Sequence, residues 1–356
     1  MTALKPKYTL FDSLEQMLAP ETLSKLLSKP VTRVEVKAME HGGLAGSQLS
    51  HVVTDAGRLV LKTMSPETDW GMFATNDHLC RAATLWQYGL LDQLLPHADH
   101  KILACAREGN TWTIMMDDLS DTVFNWEKNP ITSELIPSLI DTLARLHSNF
   151  WNNSDLKDSQ LGLCSPAEFL YTFSLSSAQK DSGQAQSVVK DWIITGWEVM
   201  EELLDARIFR QMLSLTEDSS PLLKAMERYP FTLLHGDFRS DNLAYTDRFV
   251  FLDWQIAAYS LMTMDLAWLT RDIRDLIDRE RAIQIYRQRL ETHLNQHFDD
   301  TEWQAMIELG YAADAMGATS GLGNWYKFEE NPDLRETAKN LIIQQGQMVM
   351  DALHLL

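Results

Sequence analysis

Cysteine is scarce in this chain. Cys80, Cys105 and Cys164 are the only three in 356 residues, they lie far apart, and none belongs to a Cys-x-x-Cys pair. That argues against a disulfide framework and against a thiolate zinc site, and it predicts reduced thiols in the cytoplasm. Long apolar runs are also missing. No stretch approaches the length of a membrane span, and the opening Met-Thr-Ala-Leu-Lys-Pro-Lys-Tyr holds no apolar core for export. Basic residues are the minority, 31 Lys and Arg against 50 Asp and Glu, for a net charge of −19. A surface of that sign repels nucleic acid and anionic membrane, so neither is expected as a partner. The excess acid serves solubility, with a weak bias toward a neutral or cationic ligand. No internal repeat stands out.

What is present describes a folded protein: 45% hydrophobic and 23% charged residues, on a chain long enough for two lobes. Apolar residues at helical spacing over 10–29, broken by Pro20, predict two short helices, and the β-branched run 31–37 predicts a strand. His41-Gly42-Gly43-Leu44-Ala45-Gly46-Ser47 follows, then two further strand-like runs joined at Asp55-Ala56-Gly57, the second ending at Lys62. Glycines let a backbone approach phosphates closely, and their N–H groups can bind phosphate oxygens. Gly-Gly-x-x-Gly alone is equally what a plain β-turn shows. A helix is expected over 76–88. Two apolar runs around Gly109-Asn110 predict a hairpin that leaves through Met116, Asp117 and Asp118. Beyond residue 132 the periodicity is helical, with a core helix from Ser133 to Trp151 carrying His147, an irregular polar stretch over 152–190, and helices over 191–228, 271–300 and 333–355. Gly317 to Glu330 mixes small, aromatic and acidic residues; it reads as helix packing with a capped loop, or as a face that recognises a cation or ring.

The informative stretch runs from Phe231 to Gln255. An apolar lead-in delivers His235, Gly236 and Asp237; a polar turn carries Arg239, Ser240, Asp241 and Asn242; a second apolar run, Phe249 to Leu252, delivers Asp253. Two β-like runs around a polar loop predict a hairpin that gathers Asp237, Asn242 and Asp253. One carboxylate to take a hydroxyl proton, with an amide oxygen and a second carboxylate for a hard cation, is the equipment of phosphoryl transfer from a magnesium nucleotide.

His-Gly-Asp, four residues, Asn, and an apolar run ending in Asp-Trp resemble the aminoglycoside phosphotransferase/choline kinase-like superfamily. Asp253-Trp254-Gln255, with Leu143-Ala144-Arg145-Leu146-His147 and Phe150-Trp151, is similar to its ecdysteroid kinase-like (CHK kinase-like) branch. The resemblance implies an α+β, bilobal, protein-kinase-like fold: a small antiparallel-sheet nucleotide lobe, residues 1–117, and a large, mainly helical lobe, residues 118–356. It implies a small-molecule kinase using ATP (or GTP) and Mg²⁺ on a hydroxyl acceptor. Gly42, Gly43, Gly46 and Ser47 would cover the phosphates, Lys62 would grip them, and main chain near Met116 to Asp118 would meet the base. Asp237 would accept or orient the acceptor proton, Asn242 and Asp253 would hold the metal, and Asp265 would buttress the loop. Arg239 would neutralise charge on the transferred group, or pair with Asp241. Gly236 stands where a phosphorylation-controlled protein kinase has arginine, and the interval from Asp253 to Asp265 is too short for a long activation segment; both point to a small-molecule acceptor. One departure stands out. The glutamate that orients the lysine in such folds is missing, Ala82 occupying its expected place, with Asp77, Glu67 and Asp69 as substitutes. The alternative reading is a nucleotide-binding protein with weak catalysis.

Overall fold

The computed structural model describes residues 4–39, 45–180 and 187–356; Gly42 and Gly43 of the glycine stretch lie outside them. Pro20 does what its fixed φ allows: α1 (Leu14–Leu18) ends just before it, and α2 (Pro20–Leu27) begins on it. Strands β1 (Val34–Ala38), β2 (Gln48–Thr54) and β3 (Gly57–Met64) follow, with Lys62 pointing inward near the end of the third.

The helix expected over 76–88 is shorter and is preceded by another. α3 (Trp70–Ala74) is capped by the Asp69 carboxylate, which accepts from Met72 N. α4 (Arg81–Gln87) starts only after a turn with positive φ at Asn76 and Cys80. The Asp77 carboxylate holds that turn by accepting from the backbone N–H of Leu79 and Arg81, so residues 76–80 cannot join the helix.

A short β4 (Ala98–Asp99) precedes the expected hairpin, β5 (Ile102–Glu108) and β6 (Thr111–Asp117), which turns at Gly109. The antiparallel sheet has the order β1-β2-β3-β6-β5, which sets Lys62 beside Ile114. One face packs on α1 and α2 through Met17, Leu23, Val52, Leu59, Leu61 and Met115, and the other joins the main core.

After α5 (Ile136–Asn149), the polar stretch carries α6 (Pro166–Thr172) and α7 (Leu175–Gln179), then come α8 (Val188–Leu203), α9 (Ala206–Glu217) and α10 (Ser220–Met226). The central motif is not the hairpin expected. β7 (Thr232–Leu234) pairs with β10 (Ala258–Ser260), while β8 (Leu243–Tyr245) pairs with β9 (Phe249–Phe251), which also lies parallel to β4. The loop after Asn242 contains a strand of its own, and a turn at 246–248 lets that nearer strand claim β9.

Helices α11 (Thr263–Asp272), α12 (Arg279–Leu294), α13 (Asp300–Phe328) and α14 (Pro332–Ala352) complete the chain. The stretch from Gly317 is helical through Phe328, the last part of α13, and leaves the helix at Glu329. Gly323 serves packing: a Cβ on it would lie 2.5 Å from Gly196 Cα on α8, so the two helices touch backbone to backbone. The result is an antiparallel-sheet N-terminal region and a mostly helical C-terminal region. No helix among the described residues is long and apolar enough to cross a membrane.

Candidate active site

Asp265, fully buried in the first turn of α11, sets the position of the central loop. Its Oδ2 accepts from His235 N at 2.7 Å and its Oδ1 from Gly236 N at 2.9 Å. His147 Nε2 stands 3.3 Å from the same carboxylate, and its Nδ1 meets the Tyr286 hydroxyl at 2.6 Å. His235 ties the loop to the next strand through Nε2, which lies 2.7 Å from the Leu252 carbonyl and therefore donates to it. Gly236 has φ 86, and a Cβ there would collide with the Ile256 carbonyl oxygen. The position that distinguishes this chain from protein kinases is thus one where only glycine fits.

Asn242 spans the loop. Its Nδ2 donates to the Asp237 carbonyl and to Asp237 Oδ2, both at 2.9 Å, which leaves its side-chain oxygen for a cation. Arg239 lies against the same carboxylate, Nε to Asp237 Oδ1 3.3 Å, with Nη1 3.6 Å from Asp241; the Asp237 charge above all pushes its guanidinium pKa upward. Ser240 N donates to Asp272 Oδ2 at 2.8 Å.

Asp253 stands in a left-handed conformation, φ 60, at the end of the strand region, and its Oδ1 accepts from Lys62 Nζ at 2.6 Å. Burial pushes its carboxyl upward, but the Lys62 ammonium, then His235 and Arg239, hold it below the ordinary carboxylate value. Its Oδ2 remains for a ligand. A narrow cleft connects these groups to the sheet, lined by Lys62, Ala82, Ile114, Met116, Leu252 and Asp253 among others, with about 20 Å³ of free space.

The remaining expected residues are placed as follows. Gly46 (φ 101) leads into β2, and a Cβ on it would strike the Thr68 carbonyl oxygen; Ser47 follows it and is half-buried. Asp118 lies outside the cleft lining, its carboxylate engaged by Ser120, by Arg58 at 3.1 Å and by His51 at 3.6 Å. Of the three acids considered for Lys62, Glu67 is exposed and accepts from Asn110, and Asp77 belongs to Arg81. Only Asp69 reaches the lysine, through a residue that spacing did not single out: Gln255 Oε1 lies 3.0 Å from Lys62 Nζ, and Gln255 Nε2 donates to Asp69 Oδ1.

Asp69 is fully buried, and burial raises its carboxyl to about 6 despite Lys62. The native state therefore holds this proton more tightly than the unfolded chain, and stability falls as pH rises from the ordinary carboxylate value through 6. Asp69→Asn keeps an oxygen for the Met72 cap and removes the charge. It is expected to raise stability at pH 7.5 by roughly 1–3 kcal/mol, with the gain vanishing below pH 4; denaturant melts at both pH values measure this, and equal stability at pH 7.5 would refute it.

Residues 40–306, about three quarters of the chain, match the family model for the phosphotransferase enzyme family. The chain belongs to that family, and it is a small-molecule kinase by class. Among solved structures it is similar to choline kinase from Streptococcus pneumoniae (13% identity, 94% of this chain and 99% of that one, TM-score 0.48). A microcompartment-associated aminopropanol kinase (10%, 91% and 95%, TM-score 0.49) and a spectinomycin phosphotransferase in complex with ADP and spectinomycin (12%, 96% and 98%, TM-score 0.46) are likewise similar. A search of curated proteins found no match.

Proposed function

We propose that this protein transfers the terminal phosphoryl group of ATP (or GTP) to a hydroxyl of a small molecule, in the manner of the ecdysteroid kinase-like branch. The supporting observation is the 2.6 Å contact between Lys62 of the sheet and Asp253 beside the central loop, which brings a phosphate-binding cation and a cation-binding carboxylate together from opposite sides of the cleft. Residues 1–117 form the nucleotide lobe in this reading, and residues 118–356 carry the loop and acceptor site. Lys62 binds the phosphates under the turn of Gly42, Gly43, Gly46 and Ser47, and main chain from Met116 to Asp118 faces the base. Asp237 takes or orients the acceptor proton, and Arg239 lies where it can offset charge on the transferred group.

The Asn242 side-chain oxygen and Asp253 Oδ2 are hard oxygen donors left over by the contacts above, and they suit Mg²⁺, which commonly takes one or two carboxylates plus substrate phosphates. Bound there, Mg²⁺ would neutralise phosphate charge. The protein's own share is positioning: holding Asp237 by Asn242 and the whole loop by Asp265. A cytoplasmic setting fits buried, unpaired thiols.

A nucleotide that binds only the native state must stabilise it, by about 2.7 kcal/mol at a hundredfold excess over Kd. Mg-ATP is therefore expected to raise the melting temperature by several degrees. An ATP-consumption screen across hydroxylated metabolites and antibiotics then finds the acceptor. A melting temperature indifferent to Mg-ATP would sink the reading.

A further inference from the structure

A kinase lysine normally meets a glutamate from the neighbouring helix. Here α4 offers Ala82, which lines the cleft without a polar atom. We propose that Gln255 and Asp69 jointly position Lys62, with the glutamine amide as a neutral relay between the lysine and a buried carboxylate; the inference rests on the kinase reading above.

The geometry supports each link. Lys62 is buried, and its ammonium donates to Asp253 Oδ1 at 2.6 Å and to Gln255 Oε1 at 3.0 Å. An amide can accept from Lys62 at one end and donate to Asp69 at the other, whereas a carboxylate at 255 would face both Asp69 and Asp253 with like charge. The relay is held from three sides. Asp69 Oδ1 takes both Gln255 Nε2 and Met72 N, so the cap of α3 is its anchor. Arg81 Nη1 donates to the Gln255 carbonyl at 3.2 Å and to Thr75 Oγ1 at 2.7 Å. Gly71 leaves room, since a Cβ there would come within 2.5 Å of Gln255 Nε2.

Asp69 Oδ2 is buried with no hydrogen-bond partner, an arrangement that costs stability. Its return is the aim of Lys62. Once a divalent cation engages Asp253, the Gln255 oxygen is the acceptor left to steady the ammonium toward phosphate. Both residues act through Lys62, so they are positioning residues rather than catalytic ones.

The test is calorimetric Mg-ATP titration with steady-state kinetics. Gln255→Leu, of similar size, is expected to weaken Mg-ATP about tenfold and raise the ATP KM, while the acceptor KM stays near wild type. Gln255→Glu alone is expected to fail as well. Joined with Asp69→Asn, which removes the like charge at 69, the double variant is expected to recover part of the lost affinity. Glu67→Gln, on an exposed acid outside the relay, serves as a control that binds normally. Wild-type affinity in Gln255→Leu, or a double variant no better than Gln255→Glu, would overturn the proposal. If the wild type itself binds no Mg-ATP, the kinase reading fails. The relay is then judged from the NMR resonance of the Lys62 ammonium in the free protein, which must shift in Gln255→Leu if the contact exists and stay put if it does not.

Discussion

Asp237→Asn is expected to lower kcat by a thousandfold or more while leaving Mg-ATP affinity within about threefold of wild type. A positioned acid or base is worth about 10²–10⁴ in rate, and asparagine keeps the size of aspartate while losing its capacity to take a proton. The rest of the site survives the change. Lys62 and Asp253 hold each other without Asp237, and the loop hangs from Asp265 through backbone N–H groups that no side chain at 237 supplies. Arg239 loses its strongest charge partner, which adds to the loss. Steady-state kinetics beside calorimetry separate the two quantities. Turnover near wild type would remove Asp237 from the role of base.

The second large effect concerns stability. Asp265→Ala leaves the N–H groups of His235 and Gly236 without their acceptor, and His147 without its carboxylate, all in the dry interior. Buried groups stripped of their partners cost about 1–3 kcal/mol each, so a total of roughly 3–5 kcal/mol is expected, at the extreme of single substitutions. Loss of structure should begin at the loop, and activity should fall at temperatures where the variant is still folded. Chemical denaturation and activity against temperature measure both. A loss under 1 kcal/mol would show that the loop has another anchor.

Much of this was legible in the sequence because local chemistry dictated it. Pro20 divides the first two helices, the Gly109 turn makes the hairpin, and Asp265 stands in a helix first turn. The central loop was legible as a set of residues but not as a pairing. Thr232–Leu234 and Phe249–Phe251 look like partners, yet each finds a strand whose claim depends on tertiary position, β10 for one and β8 and β4 for the other. The helix packing of the stretch from Gly317 was legible, but its partner was not: only the backbone contact with α8 explains Gly323. The lysine's surroundings were the least legible. Asp69 is 186 residues from Gln255 along the chain, so neither spacing nor periodicity could connect them. The missing glutamate at Ala82 could be noticed and Asp69 named among its substitutes, but the link through Gln255 could not.

The contact between Lys62 and Asp253 has a consequence for how a nucleotide arrives. Within the cleft the Lys62 ammonium and the Asp253 carboxylate satisfy each other across the gap, and about 20 Å³ of free space lies beside them, about what one water occupies. Binding is therefore an exchange of partners, not an addition to waiting charges. On the proposed kinase reading, phosphates would take the lysine from Asp253 while a divalent cation compensated the carboxylate. Nucleotide and metal would then be expected to enter as a pair.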